Sequence, residues 1–104
     1  MNAERRLFPR FSFIAHAKVT DIASDTTVNA RISELSKNGC YMDMINPLPF
    51  DTVVQVEITH ADRVFQTRGK VIYSQPHMGM GVTFTGVTPE NEVLMESWVR
   101  SSGS

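Results

Sequence analysis

Val54-Gln55-Val56-Glu57-Ile58 alternates apolar and polar residues without a break. That period of two is the tightest constraint in the chain. Successive side chains of a strand point to opposite faces, so this run has one wet face and one face that must be covered. No single strand covers itself, and the chain supplies further short runs of the same kind. His16 to Ile22 alternates loosely, with Ala17, Val19 and Asp21 on one face and Lys18, Thr20 and Ile22 on the other. Val28 to Leu35 sets Val28, Ala30 and Ile32 against Asn29, Arg31 and Ser33. Cys40 to Met44, Phe65 to Tyr73 and Gly81 to Phe84 complete the set. In the longest of these, Phe65, Thr67, Gly69, Val71 and Tyr73 share one face, and Gly69 suggests a bulge or bend.

Turn chemistry separates the runs. Ser24 to Thr27 is a polar turn, His60-Ala61-Asp62-Arg63 a hairpin turn, and Gln75 to Gly79 a loop. Asn38-Gly39 is the strongest short hairpin signal, since both residue types accept positive φ at low cost. Asn46-Pro47-Leu48-Pro49 is a connection, because two prolines remove two ladder donors. Asp51 is suited to begin a turn. Thr88-Pro89 reads as an N-cap followed by proline at the first helical position, and Glu90 and Glu92 suit the positive end of the helix. Leu94, Met95, Trp98 and Val99 then form one apolar stripe. The expected architecture is an all-β barrel of about six short antiparallel strands with a C-terminal helix over one end. Closure would remove the exposed edges.

Before the first strand, Arg5-Arg6-Leu7-Phe8-Pro9-Arg10 packs three arginines into six residues. Pro9 disfavours a helix there, and Met1 to Phe13 shows little periodicity, so an ordered turn at best is expected. Composition alone makes such a cluster a solvated tail. Chemically, the guanidinium fork meets phosphate oxygens, or guanine O6 and N7, with two parallel N–H bonds. The formal net charge of −1 argues against a general nucleic-acid coat or a small nucleic-acid-binding barrel. The length of 104 residues suits one domain, expected over 1–100 with an arm at 1–13, and 101–104 reads as a disordered tail. A lone Cys40 forms no internal disulfide and fits a reducing compartment. With no membrane-length apolar run and no signal-peptide core after Met1, a soluble cytoplasmic protein is expected. His16, His60 and His77 match no metal pattern, and neither a nucleophile elbow nor a phosphate-binding glycine loop is present, so neither catalysis nor a bound cofactor is expected.

Three stretches together carry a family resemblance. Arg6-Leu7-Phe8-Pro9-Arg10 matches R-x-x-x-R ahead of the first strand. Glu34-Leu35-Ser36-Lys37-Asn38-Gly39 nearly matches D/N-x-S-x-x-G at the second hairpin. Gly79-Met80-Gly81-Val82-Thr83-Phe84 with Thr88-Pro89-Glu90 is similar to the family's ending. The chain resembles the PilZ domain, a bacterial six-stranded barrel that binds cyclic di-GMP, from about Glu4 to Arg100. The resemblance implies ligand contacts from Arg6, Arg10, Ser36 and Gly39, and from Glu34 where Asp or Asn is usual. It also gives Arg5 an influence on whether one ligand or a stacked pair is held. Tyr73 fits either the core or a base-stacking platform. The implied function is a receptor that clamps the dinucleotide and signals to an unidentified effector protein. The alternative is a PilZ-like adaptor with weak or no ligand binding, favoured only by Glu34, whose extra methylene displaces the carboxylate.

Overall fold

The computed structural model describes residues 11–103, with side chains through residue 101. Six strands and one helix follow in order: β1 Phe11–Asp21, β2 Thr26–Ser36, β3 Gly39–Asp43, β4 Val53–His60, β5 Arg63–Gln75, β6 Gly79–Thr85 and α1 Pro89–Gly103. The strands close into a barrel in the order β1-β2-β3-β6-β5-β4, antiparallel at every seam. Closure follows from the patterning. Val54, Val56 and Ile58 of β4, Ala17 and Val19 of β1, and Ile32, Met42, Phe65, Val71 and Met80 are all fully buried inside. Burying such side chains contributes about 1.5–3 kcal/mol each.

The helix closes one end. Thr88 caps it: its carbonyl accepts from the Glu92 N–H at 2.8 Å and its hydroxyl from the Asn91 N–H at 3.4 Å. Leu94, Met95 and Trp98 are buried and Val99 packs against the core. Trp98 lies 5.4 Å from the Phe13 ring, 5.6 Å from His60 and 6.3 Å from Phe65. The helix continues through Ser101 and Gly103, where the composition suggests a disordered end.

Several local expectations are corrected. β1 begins at Phe11, and Phe13 and Ala15 are buried. The arm expected over 1–13 therefore gives way to strand three residues early, because Phe13, Ala15, Ala17 and Val19 form one continuous inward row. Gly69 makes no bulge: it pairs in register with Val54 and Phe84. A Cβ there would approach the Thr83 carbonyl oxygen and Val82 Cγ1 to 2.8 Å, so the missing side chain serves close strand packing. The bulge in β5 falls between Val71 and Tyr73. It turns Tyr73 out of the inward row, to 48% exposed.

Asn38-Gly39 also works differently from a positive-φ turn. Ser36 pairs with Gly39, so Lys37 and Asn38 are the central residues, and none of these adopts positive φ. The Ser36 hydroxyl explains how. It accepts from the Asn38 N–H at 3.3 Å and donates to the Gly39 carbonyl at 3.2 Å, a local side-chain closure of the turn. The double positive-φ turn is instead Ala61-Asp62, at φ 51° and 65°, between β4 and β5.

Candidate functional site

Two pieces of chain separated by about twenty residues meet at the helix end of the barrel. The start of β1 pairs with the end of β2, Phe11 opposite Leu35 and Ser12 opposite Glu34. Arg10 directly precedes Phe11 in sequence. Arg5, Arg6 and Arg10 themselves lie outside the described residues.

The second motif is described in full. β2 shifts register against β3 between Ile32 and Glu34, leaving Ser33 as the extra residue. The shift lets Leu35 enter the core opposite Cys40 while Glu34 faces outward beside Tyr41. Ser36 is buried and braces the turn. The Asn38 carbonyl accepts from the Phe84 N–H at 2.8 Å and from the Thr83 hydroxyl at 3.4 Å, which fixes the hairpin tip to β6. A Cβ on Gly39 would overlap the Val82 carbonyl oxygen. Lys37 Nζ lies 3.6 Å from Glu96 Oε2 and so reaches α1.

The pairing registers extend this edge into a row across the outer face. Glu34 neighbours Tyr41, Tyr41 neighbours Gly81, and Gly81 neighbours Tyr73. Gly81 leaves the space between the tyrosines open, and their ring centroids lie 6.3 Å apart. The Tyr73 hydroxyl donates to Gln75 Oε1. Burial, followed by the negative charges of Tyr73, Asp43 and Glu34, pushes the Tyr41 phenol above its ordinary range. Asp43 accepts from Arg31 at 2.9 Å and from the Ser33 hydroxyl at 3.2 Å, which ties the bulge to β3.

Glu34, Ser36 and Gly39 therefore come together, and of the two readings of Tyr73 the outward placement excludes the core. Sequence reasoning missed Tyr41. The signal was available in the hairpin, because a two-residue turn after Ser36 sets residue 41 opposite residue 34. Among the described residues, no three His, Cys, Asp or Glu side chains are placed to hold a metal. No helix there is long and apolar enough to cross a membrane.

A six-stranded closed barrel, capped by a C-terminal helix and carrying a polar and aromatic outer row, defines a class of small capped β-barrel. The PilZ domain model matches residues 4–101, and the chain belongs to that family. The PilZ domain of YcgR from Escherichia coli, solved with c-di-GMP, has a TM-score of 0.74 at 18% identity, over 95% of this chain and 92% of that one. The PilZ domain of CeSA from a cellulose-synthesizing bacterium gives 0.73 at 16% identity, over 92% and 99%. Escherichia coli YcgR in complex with c-di-GMP gives 0.77 at 22% identity, and 93% of this chain covers 45% of that one. At these identities the likeness is one of fold. No curated protein matches the chain.

Proposed function

We propose that this PilZ domain is a cytoplasmic receptor for cyclic di-GMP, not an enzyme, and that its N-terminal arginines and second hairpin clamp the dinucleotide. The observation that carries the reading is the pairing of Phe11 with Leu35 and Ser12 with Glu34. It brings the chain entering from the arginine motif alongside the hairpin motif, and the two solved YcgR structures of this fold contain c-di-GMP.

The chemistry divides among the residues. Arg6 and Arg10 offer guanidinium forks to phosphodiester oxygens and to guanine O6 and N7. Arg5 stacks on a second guanine where a ligand pair is held. The Glu34 carboxylate accepts from the N–H edge of guanine. The Ser36 proton already serves the Gly39 carbonyl, so Ser36 contributes a remaining lone pair and holds the hairpin in shape. Gly39 lets β3 lie close against the Val82 carbonyl of β6 and so holds the hairpin in place. Tyr41, beside Glu34, and Tyr73, whose ring lies 6.3 Å beyond it in the same outer row, supply rings for base contact. The signal passes to an effector protein through α1, which touches both halves of the site: Phe13 of β1 packs on Trp98, and Lys37 reaches Glu96. The reducing cytoplasm accords with the buried free thiol of Cys40.

The test is a set of three variants titrated with cyclic di-GMP at one salt concentration, since phosphate contacts weaken with salt. Arg6→Ala and Arg10→Ala each weaken binding by about 2 kcal/mol or more, with thermal stability unchanged. Glu34→Ala weakens it by about 1–3 kcal/mol. Parental affinity in both arginine variants would reduce the arm to a tail.

A further inference from the structure

The end of the barrel away from α1 exposes several large apolar side chains. Ile22, Ile45, Phe50, Val53, Ile72 and Met78 are each between 37% and 67% exposed. Ile22, Ile45, Phe50 and Met78 lie in the three connections at that end, β1–β2, β3–β4 and β5–β6, Val53 opens β4, and Ile72 is the bulge residue of β5. Backbone hydrogen bonds hold the connections against one another. The Ile22 N–H donates to the Val53 carbonyl at 3.2 Å, His77 to Ile45 at 2.8 Å, and Asp51 to Val71 at 2.7 Å. The apolar groups are thus displayed on a braced surface. Exposed side chains of this size gathered at one place mark an interaction site.

The charges around them select the occupant. Asp21, Asp25, Asp43 and Asp51 surround this end. Arg31 pairs with Asp43 at 2.9 Å and Lys70 with Asp51 at 3.1 Å. Asp21 and Asp25 have no ion-pair partner among the described residues. Two uncompensated carboxylates beside an apolar surface repel an anionic membrane. They also disfavour a symmetric contact with a second copy, which would set the same acids face to face. We infer that this end docks an apolar segment flanked by lysine or arginine, supplied by a partner protein. The surface lies at the opposite end from the Ser36–Gly39 hairpin and adjoins the ligand row only where Ile72 precedes Tyr73 on β5, so the inference does not depend on the ligand reading.

The probe is a designed amphipathic peptide of leucine and lysine, followed by amide chemical shifts of the whole chain. The peptide binds with shifts confined to residues 22–25, 44–53 and 72–78, and its leucine–glutamate counterpart does not bind. Ile45→Ser with Phe50→Ser weakens binding by about tenfold or more. Asp21→Asn with Asp25→Asn, which preserves side-chain shape, weakens it severalfold and flattens its salt dependence, and this pair is read if the serine variant is unstable. Any of four results overturns the inference: no binding of the leucine–lysine peptide, shifts located elsewhere, equal binding of the leucine–glutamate peptide, or loss of neither affinity in the variants. Binding of mixed phosphatidylglycerol–phosphatidylcholine vesicles, or a dimer in sedimentation that Phe50→Ser dissociates, overturns it in favour of a membrane or a second copy.

Discussion

A methyl group at position 39 would have nowhere to go. The Val82 carbonyl oxygen of β6 occupies its place, and backbone cannot swing aside as a flexible side chain does. Gly39→Ala therefore destabilises the barrel by about 1–3 kcal/mol or more, read as a shift in the denaturant midpoint. An unchanged midpoint would mean that β3 and β6 separate without cost. Cys40, the next residue, shows the effect of burial on a thiol. Burial raises its pKa from about 9 to about 12. The unfolded thiol ionises first, so the unfolded state loses its proton while the folded state keeps it. The contribution is complete below pH 9 and is lost as the pH climbs through about 12. Stability should fall over that window more steeply in the parent than in Cys40→Ala, by up to about 1.4 kcal/mol per pH unit. The folded thiol should also resist alkylation at neutral pH.

At the scale of elements, α1 is held by packing more than by charge. Trp98 touches Phe13, His60 and Phe65, and Trp98→Ala should cost about 3–5 kcal/mol in equilibrium unfolding. Glu96→Ala, which removes a half-exposed ion pair with Lys37, should cost less than about 1 kcal/mol. Equal losses in the two variants would contradict this ranking. The elements were largely legible in the sequence because each carries its own period. Val54, Val56 and Ile58 announce β4, and Thr88-Pro89 announces α1. The irregularities were not legible. The bulges at Ser33 and Ile72 depend on which partner strand lies opposite, and a single strand does not encode its register. The same reason hid the first residues of β1, whose inward row counts only once β2 is placed beside it.

At the scale of the molecule, the two ends of the barrel differ. One gathers α1, the hairpin tip and the entry of the N-terminal chain; the other displays apolar loops with an acidic border. Motifs in the sequence pointed to Glu34, Ser36 and Gly39. The sequence could not show that Ser36 spends its proton on the turn, which is set by the turn's geometry, or that Tyr73 joins the row of Glu34 and Tyr41, which follows from the register of β6 against β3 and β5. A calorimetric titration of the chain with cyclic di-GMP, beside cyclic di-AMP and GTP, tests the central claim most directly. The account predicts a dissociation constant of about micromolar or tighter for cyclic di-GMP, and binding at least about tenfold weaker for the other two. No heat and no chemical-shift change with cyclic di-GMP at about millimolar concentration would contradict it.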